Sequence, residues 1–569
     1  MIKMLKEEIK KYRKEFILGP FFKLIEALFE LAIPFFMVKV IDDGIKKDNF
    51  KLVITYIIIM LVLCIFGYLS ALLCQIFATK AAFGIGTDMR NKVFSHINSL
   101  SFKELDTNSS NYYINILTND IDQVQNALNM FIRLGIRAPF LVIGATALAF
   151  VINIKIGLIF VIIGLIITFF LVILVLKTIK HYKNINLTLD DISLSVKEGK
   201  RGSRIIRAFS NQEKELNKFK KKNNTYYKES NIIGFINSLF NPINYLIINL
   251  GILFVIYISG DKVNNGIMTQ GETTALYNYL TQVLLALVIV VNLSVLFTKG
   301  YASYLRIKNI MNLNNSLKIE DKKLMKDDTI INFDNVSFYY NSNEKVLDTI
   351  SFKVKKNDFV GIIGPTGSGK STLINILSRF YDTTEGNIYL KGRNIKSYTN
   401  EEIRNIISLT SQNSNLFTGT IKDNFLMANK DLTDEDIYYY LKLAKADFID
   451  RLKDGIYTNV LSNGNNFSGG EKQRLVIARS LSRKSEIIIF DDSNSALDYE
   501  TDFELRKNLR KLNKTVIIIS QRISSIKDCD EILVLNNGKL ESIGSHKELL
   551  ESNKFYLDIF ISQGGEING

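Results

Sequence analysis

The chain has 569 residues, and its composition excludes several classes of protein. Hydrophobic residues make up 47% of the chain, which is too many for a disordered protein. Three cysteines and three histidines are too few for a disulfide framework or a typical zinc site. A mean hydropathy of +0.10 beside 22% charged residues indicates a membrane part and a soluble part in one chain. The net charge of +14 leaves two interpretations open, namely nucleic-acid binding or cytoplasmic flanks of membrane helices.

Long apolar segments within the first 310 residues predict six membrane spans. Most of them reach the ~20 residues that a helix needs to cross the hydrocarbon core. The first contains Lys23, Glu26 and Glu30, so we expect this helix to face a bundle interior or an aqueous cavity. The alternative is that these charges lie near the helix end and extend to the interface. The six predicted spans are residues 21–40, 53–77, 138–154, 157–176, 236–259 and 275–297.

The distribution of basic residues predicts the orientation of these spans. Residues 1–18 predict an amphipathic helix on the membrane surface, since they hold six Lys and Arg and no signal-peptide cleavage site. That segment and the two long connections carry 24 Lys and Arg, whereas the three short connections carry five. Positive charge marks the cytoplasmic side, so both termini are predicted to be cytoplasmic. The long connections are residues 79–126 and 177–233, and the short ones are 43–51, 152–156 and 260–272.

The C-terminal part of the chain predicts a different fold class. Residues 1–310 are assigned to the membrane domain, residues 311–328 to a polar linker, and residues 329–569 to a second domain. In this second domain short β-rich runs alternate with helical patterns, which is typical of an α/β domain with a largely parallel sheet. The clearest predicted strands are residues 359–363, 487–490, 515–520 and 531–535.

A phosphate-binding loop follows the first of these strands. The sequence fits G-x-x-x-x-G-K-[ST] at every fixed position, between a strand and a helix that starts near Thr372. Glycines let backbone N–H groups surround phosphate oxygens, Lys370 brings charge to the terminal phosphates, and the Ser371 hydroxyl suits Mg²⁺. The loop consists of Gly364, Pro365, Thr366, Gly367, Ser368, Gly369, Lys370 and Ser371.

Two further motifs support a nucleotide site. Asp491 ends an apolar strand, where a carboxylate emerges at the sheet edge beside the phosphates and is suited to Mg²⁺. Ser468, Gly469 and Gly470 precede an amphipathic helix whose N-terminus favours an anion, although such a serine is also a common helix cap.

In this order and at this spacing, the three motifs resemble the ATP-binding cassette (ABC) family, and the apolar half resembles ABC exporters with six helices per half. The resemblance covers nearly the whole chain. It implies a membrane α-helical bundle fused to an α/β P-loop nucleotide-binding domain, with ATP and Mg²⁺ as cofactors. It also implies a dimer in the inner (plasma) membrane of a bacterium, with the long connections as coupling helices and no nucleic-acid partner.

The resemblance assigns roles to individual residues. Tyr340 matches the aromatic residue that stacks on adenine, and Gln412 matches the glutamine between the ATP site and the membrane domain, beside Mg²⁺. Residues 495–498 match the loop that crosses the dimer interface. The signature motif, which completes the ATP site of the other subunit, matches Ser468, Gly469, Gly470 and Glu471, with Glu471 where glutamine is usual and Phe467 where leucine is usual.

Two departures from the family pattern fall in the same site. Asp492 stands where an active cassette has the catalytic glutamate, and Gln521 stands where the family has a histidine near the γ-phosphate. The phosphate loop is intact, so this pattern resembles the degenerate-site subunit of heterodimeric bacterial multidrug exporters, with a different half-transporter as partner. The alternatives are a homodimeric exporter with an atypical but active site, or a cassette protein in which ATP gates rather than pumps.

The substrate class is only broadly indicated. Polar residues on the sixth predicted span, including Tyr277 and Gln282, suit amphipathic drugs, lipids or peptides. Glu26 and Glu30 shift the expectation toward cations. The alternative is that such groups only hydrogen-bond between helices.

Overall fold

The computed structural model describes residues 6–320, 329–340, 344–412, 415–492 and 497–565. The chain forms two compact units, and each consists of two stretches of sequence. The first unit comprises Met1–Asn98 and Ser109–Leu313, and the second comprises Ser99–Asn108 and Asn314–Gly569. The short segment Ser99–Asn108 therefore groups with the C-terminal unit. The limits of the predicted linker stay a prediction, because residues 321–328 lie outside the described ranges.

In the described part of the first unit, every regular element is a helix. Its helices are long because apolar runs continue directly into polar, helix-compatible sequence without Gly or Pro clusters. Three π-helical turns interrupt the helices at Val40–Ile45, Ile116–Asp120 and Phe131–Gly135. The helices are α1 (Lys6–Lys11), α2 (Arg13–Lys39), α3 (Phe50–Ser99), α5 (Ser110–Asn115), α6 (Ile121–Met130), α7 (Arg137–Ile152), α8 (Ile154–Arg201), α9 (Ser203–Ala208), α10 (Gln212–Asn264) and α11 (Gln270–Met311), with α4 (Phe102–Leu105) in the second unit.

Four helical segments among the described residues are long and apolar enough to cross a membrane: Phe50–Ser99, Ser110–Ile152, Tyr245–Asn264 and Gln270–Val290. Each of the six predicted spans falls on helical segments, but two of them do not meet this standard. The apolar part of α2 is interrupted by charged side chains, and the apolar stretch in α8, Ile154–Phe170, is shorter. The membrane-helix character of this unit is thus confirmed, and the count of six spans stays a prediction.

The charged side chains of α2 form ion pairs inside the helical unit. Lys23 Nζ lies 2.6 Å from Glu26 Oε2, and Arg137 Nη2 of α7 lies 2.7 Å from Glu30 Oε2. All four side chains are at least two-thirds buried, and Gln282 of α11 donates to the Glu30 carbonyl at 3.2 Å. The expectation of a bundle-interior position is met. Cations of the chain itself compensate both carboxylates, which removes the reason to expect a cationic substrate.

The N-terminal helix α1 and the start of α2 pack on α3. Lys11 Nζ lies 2.7 Å from Asp88 Oδ2, and Lys92 Nζ lies 2.9 Å from Glu8 Oε1. These pairs lie on the more polar C-terminal part of α3, beyond the predicted span at residues 53–77. Residues 6–11 are helical, as the sequence predicted, and their contact with a membrane surface stays a prediction.

The described residues of the second unit form a six-stranded sheet, a four-stranded antiparallel sheet and one small two-stranded ladder. The six-stranded sheet has the order β12-β11-β3-β10-β9-β6 and is parallel except for β12, which confirms the predicted largely parallel sheet. The strands are β1 (Thr329–Phe338), β2 (Leu347–Lys355), β3 (Phe359–Ile363), β4 (Glu385–Leu390), β5 (Arg393–Asn394), β6 (Ile407–Thr410), β7 (Gly419–Thr420), β8 (Asn459–Val460), β9 (Ile487–Asp491), β10 (Thr515–Ile519), β11 (Glu531–Asn536) and β12 (Lys539–Gly544).

Helices cover the six-stranded sheet and bury its central strands. The central strands β3, β9 and β10 are almost fully buried because both of their faces pack in hydrophobic clusters. This explains their continuous apolar sequence, which is typical of parallel strands. The helices are α12 (Lys370–Leu377), α13 (Asn400–Ile406), α14 (Ile421–Leu426), α15 (Asp434–Leu443), α16 (Gly469–Leu481), α17 (Tyr499–Arg510), α18 (His546–Ser552) and α19 (Lys554–Ser562).

Candidate nucleotide-binding site

Three neighbouring strands deliver the predicted site residues to one edge of the sheet. In the parallel register, Ile519 of β10 lies opposite Ile362 of β3 on one side and Asp491 of β9 on the other. The carboxyl ends of β3, β9 and β10 therefore meet. Ligands of open α/β sheets bind at this edge, where the strands end and the loops begin.

The phosphate loop follows β3 and has a backbone that requires glycine. Gly367 and Gly369 have φ values of +84° and +98°, and a Cβ at Gly364 would lie 2.1 Å from the Leu535 carbonyl oxygen. Gly369 directly precedes α12, so the loop meets the positive end of a helix. Lys370 Nζ donates to the carbonyl oxygens of Gly364 and Pro365 at 2.7 Å. Its ammonium thus lies within the loop, where a bound phosphate would be held.

Ser371 and Asp491 form the second part of the site. The Ser371 hydroxyl lies near the Asp491 carboxylate. Burial and the adjacent Asp492 raise the pKa of Asp491, while the nearby Ser371 hydroxyl and Lys370 oppose this shift. A hydroxyl beside a carboxylate is a donor set that suits Mg²⁺, so these residues fit the expected metal. A Mg²⁺ held there would neutralise charge on the phosphates of ATP.

Asp492, which the resemblance places at the position of the family's catalytic glutamate, has a left-handed backbone with φ +47°. Its N–H donates to the Ile519 carbonyl at 3.0 Å, which ties the turn after β9 to β10. Burial raises the pKa of Asp492, and the positive charges of Lys370 and Arg522 oppose this shift. The carboxylate therefore belongs to the same edge as the phosphate loop, and its backbone position is fixed by a strand-to-strand hydrogen bond.

Gln521 follows β10 and its side chain is exposed. The backbone at this position is held from the C-terminal helix: Gln563 Nε2 donates to the Gln521 carbonyl at 2.7 Å, and Ile523 N donates to Gln563 Oε1 at 2.9 Å. Sequence reasoning missed Gln563, and no local pattern could have found it, because it acts from 42 residues away. Arg522, beside Asp492, was likewise missed, although its place next to Gln521 was a usable signal.

Tyr340 lies beside the phosphate-loop helix, as its predicted role requires. Its hydroxyl is 3.3 Å from Thr372 Oγ1, and its ring forms an edge-to-face pair with Tyr381 at 5.1 Å between centroids. A cleft of about 240 Å³ is lined by Tyr340 and Tyr381. Tyr340 remains 43% exposed, so a face of its ring is free to stack on a base. Tyr381 is a further aromatic residue that sequence reasoning did not select.

Gln412 follows β6, which pairs with β9 so that Thr410 lies opposite Phe490. Gln412 is therefore at the same sheet edge as Asp491. Its side chain is exposed, and within the described residues the structure records no contact between it and Ser371 or Asp491. Residues 413–414 and 493–496 lie outside the described ranges, and they include Ser495 and Ala496 of the predicted interface loop. Asp498 of that loop caps α17, accepting from Thr501 N at 3.1 Å.

The signature segment is a well-formed helix start. Ser468 N donates to Glu471 Oε2 at 2.8 Å, and Glu471 N donates to Ser468 Oγ at 3.4 Å, which completes a capping box. Phe467, where the family has leucine, is buried against Phe448 with ring centroids 6.2 Å apart. Phe467 and Glu471 therefore both fit the local structure, and Gly469 and Gly470 form the first turn of α16.

The segment Ser99–Asn108 packs on the cassette beside this site. The Phe102 ring of α4 lies 4.6 Å from that of Phe380, and Tyr381 Oη donates to the Asp106 carboxylate. Ser101 Oγ lies 2.9 Å from Ser316 Oγ. A piece of the first long connection thus contacts Tyr381, which itself contacts Tyr340. The coupling role of the long connections stays a prediction.

Comparison with known proteins identifies both parts of the chain. Residues 16–287 match the ABC transporter transmembrane region family, and residues 347–495 match the ABC transporter family. The uncharacterized ABC transporter ATP-binding protein YfiB of Bacillus subtilis is 32% identical over 545 residues, covering 95% of both chains. An ATP-dependent lipid A-core flippase of Photorhabdus laumondii is 28% identical over 531 residues, covering 92% of this chain and 91% of the relative.

The fold is also found among solved structures. A bacterial Atm1-family ABC exporter with ATP bound superimposes with a TM-score of 0.83 at 22% identity, covering 99% of each chain. Three observations point to the same family: the two family models, the relatives that align over most of the chain, and the phosphate loop at its sheet edge. The chain therefore belongs to the ABC transporter family, with a helical membrane region and an ATP-binding, ATP-hydrolysing cassette in one polypeptide.

Proposed function

We propose that this chain is one half of a heterodimeric ABC exporter, and that its own nucleotide site binds ATP but cleaves it slowly. The observation that carries the proposal is that Asp492 and Gln521 follow strands that end at the same sheet edge as an intact phosphate loop. Every residue needed to hold the nucleotide is present. Both positions that the family uses for hydrolysis are changed.

The two substitutions affect chemistry more than binding. An aspartate is one methylene shorter than a glutamate, so its carboxylate retracts by about 1.5 Å. A general base acts within about 2.6–3.2 Å of the proton it takes, and a retraction of this size is a large fraction of that reach. The backbone of Asp492 is fixed by its bond to Ile519, which limits compensation by a shift of the chain. A glutamine at position 521 can hydrogen-bond a phosphate but cannot carry the charge of a histidine.

The partner subunit follows from this arrangement. In the family each ATP lies between one subunit's phosphate loop and the other subunit's signature motif. Ser468, Gly469 and Gly470 keep the family pattern, so they would complete a nucleotide site on the partner. A partner with the glutamate and the histidine would then supply the hydrolytic site of the pair. In this chain Mg²⁺ would be held by Ser371 and Asp491, with Gln412 approaching from β6.

We further infer six membrane spans in a bacterial plasma membrane, with both termini and the cassette in the cytoplasm. The six helical segments that carry the predicted spans, and the excess of Lys and Arg in the N-terminus and long connections, support this topology. The relatives include a lipid A-core flippase and the fold matches an exporter, which supports outward movement of amphipathic substrates. No preference for cations is proposed, because Glu26 and Glu30 are paired within the chain.

The deciding experiment compares the ATP turnover of Asp492→Asn with that of wild type in the complex purified from its natural host. A heterodimer with a slow site here predicts less than a twofold change, because the partner's site does the hydrolysis. Lys356→Ala, an exposed lysine between β2 and β3, serves as a neutral control. Mass spectrometry of the same complex identifies its subunits.

The alternative is a homodimer with an atypical but active site. In that case Asp492 is the base of both sites, and Asp492→Asn lowers turnover by about 100-fold or more. A complex that contains only this chain, or a loss of turnover on that scale, overturns the heterodimer proposal. A chain in which ATP gates rather than pumps would show ATP binding without substrate-stimulated turnover in any complex.

A further inference from the structure

The chain passes between the helical unit and the second unit at three places. Helix α3 leads into the segment Ser99–Asn108, α5 follows that segment, and α11 leads into the residues from Asn314 onward. Each passage is a covalent route by which a change in the cassette reaches the membrane helices. Bonds among the three helices near these passages therefore determine whether the helices move separately or together.

The first of these bonds joins Asp120 to α11. The Asp120 side chain is only 3% exposed, and its carboxylate accepts from Ser303 Oγ at 2.9 Å and from Arg306 Nε at 2.9 Å. Arg306 Nη2 donates to the other carboxylate oxygen, so the ion pair is bidentate. A bidentate pair fixes the relative orientation of its partners as well as their distance. Asp120 therefore holds α11 in one rotational position.

A π-helical turn presents this carboxylate to α11. The turn comprises Ile116–Asp120, and the Ile121 N–H bonds to the Ile116 carbonyl five residues back. The extra residue shifts the register of the helix that follows, and such turns are rare and frequent at functional sites. The irregular turn lies exactly where the chain bonds to α11, which indicates that the position of Asp120 is its purpose.

Helix α3 is bonded to both of the other passages. Arg90 Nε donates to the Leu117 carbonyl, within the π-helical turn, at 3.2 Å, and Arg90 also pairs with the Asp122 carboxylate. His96 Nε2 donates to the Ile310 carbonyl, near the end of α11, at 3.1 Å. The three helices are thus bonded pairwise, within about three helical turns of the passages. This set of side chains, called the collar below, consists of Arg90, His96, Asp120, Asp122, Ser303 and Arg306.

We propose that the collar positions α3, α6 and α11 for ATP-driven transport by making their ends near the passages move as one body. A change in the cassette that displaces one passage then displaces all three helices, and α11 carries the movement into the membrane region. Without the collar each passage yields separately, so ATP still binds but α11 responds weakly. The proposal rests on the ATP-driven activity of the family and not on the proposed heterodimer.

Tryptophan fluorescence of the complex purified from its natural host tests this role. The chain contains no tryptophan, so Leu285→Trp adds one reporter, at an exposed position of α11 about 32 Å along the helix from Arg306. The emission of the complex without Leu285→Trp is subtracted. The probe is AMP-PNP with Mg²⁺, an ATP analogue that is not hydrolysed. We expect a saturable change in emission as the analogue binds.

The main variant in the Leu285→Trp background is Asp120→Asn/Arg306→Gln. It removes both charges together, so no lone buried charge remains to unfold the unit. The change in emission should become at least about threefold smaller, while the affinity for AMP-PNP stays within about twofold. Arg306→Lys keeps the positive charge but loses the bidentate geometry, so its response should be intermediate. The matched control, Lys11→Gln/Asp88→Asn, removes an ion pair of 2.7 Å between α1 and α3 and should leave the response unchanged.

A purely structural role gives a different pattern. The variants would then lower the resistance of the complex to urea, but every molecule that still binds AMP-PNP would give the full change in emission. The proposal is overturned by that pattern, by equal losses in Asp120→Asn/Arg306→Gln and the control, or by the lack of any response in Leu285→Trp alone. If the double variant does not bind AMP-PNP, Arg306→Lys decides, and a full response in that variant overturns the proposal.

Discussion

The phosphate loop and the turn that contains Asp492 lie on the same edge of one sheet, but they depend on different kinds of structure. The loop acts through its backbone: two glycines with positive φ and a close approach to Leu535 fix its path, and Lys370 and Ser371 follow at the helix start. In the function proposed above, hydrolysis depends on how far the side chains of Asp492 and Gln521 reach. A change of one methylene or one ring would then alter hydrolysis and leave nucleotide binding intact.

Of all the changes considered, removal of the phosphate-loop lysine should have the largest effect on ATP binding. In Lys370→Ala the phosphates lose a charge-assisted interaction worth about 1.5–3 kcal/mol, so ATP affinity should fall about 10- to 100-fold. Binding of a fluorescent ATP analogue to the full-length chain measures this change. Lys356→Ala is the matched control, and an affinity for Lys370→Ala within twofold of wild type would contradict the assignment of the loop.

The converse experiment introduces the family's residues at the two positions proposed to limit hydrolysis. In Asp492→Glu/Gln521→His the carboxylate regains its reach and position 521 regains an imidazole, so we expect ATP turnover by the isolated chain to rise about tenfold or more. ATP affinity should stay within about twofold of wild type, because the loop is unchanged. The control is Asp492→Asn/Gln521→His, which carries the histidine without a base. Equal turnover by the two double variants would show that position 492 does not limit hydrolysis.

A smaller effect is expected from the acidity of Asp491, which reports how the Asp492 carboxylate influences the residue proposed to hold Mg²⁺. Burial and the Asp492 carboxylate raise the pKa of Asp491. Mg²⁺ requires the ionised form, so Mg²⁺-dependent ATP binding should weaken on acidification before ordinary aspartates titrate. The protonated form is favoured in the folded domain, so this carboxyl stabilises the fold at low pH, and that contribution is lost as the pH rises through its raised pKa. Acid should therefore abolish metal binding while the circular dichroism of the fold is retained.

Asp492→Asn separates the two causes of that shift. Removing the neighbouring negative charge should lower the pKa of Asp491, so the loss of Mg²⁺-dependent binding should move to lower pH. Asp450→Asn, in an exposed turn remote in sequence from the loop, should leave the midpoint unchanged. An unchanged midpoint in Asp492→Asn would show that burial alone sets the acidity of Asp491.

Local motifs predicted this sheet edge well because the residue spacing within each motif determines its local backbone conformation. The strand before the phosphate loop was predicted at its observed bounds, Phe359–Ile363, and the strand before Asp491 within one residue. The loop then followed from glycine spacing. Features that depend on distant partners were not predictable from one sequence. Gln563 reaches Gln521 from the C-terminal helix, and the Asp106 carboxylate meets Tyr381 across 275 residues of chain.

The membrane unit also shows that a sequence does not reveal distant partners. The charges of Glu26 and Glu30 were visible in the sequence, but a carboxylate in an apolar helix does not reveal whether a substrate or the chain itself compensates it. Arg137, 107 residues beyond Glu30, supplies the answer. Its own position at the start of α7 gave no sign of this pairing, so the expected preference for cations was a reasonable but unsupported step.

The smallest expected effect concerns Glu471, where the signature motif has a carboxylate instead of the usual amide. Its Oε2 accepts from Ser468 N at 2.8 Å, which is the reciprocal bond of a capping box. A glutamine can accept the same bond, so Glu471→Gln should change the free energy of unfolding by no more than a few tenths of a kcal/mol. Glu471→Ala removes the acceptor and should destabilise the start of α16 by about 1 kcal/mol. Urea unfolding of the full-length chain, monitored by a probe in the cassette, distinguishes the two. A large loss in Glu471→Gln would mean that the negative charge itself is needed, and the carboxylate would then set the charge presented to the partner's ATP rather than only the local helix start.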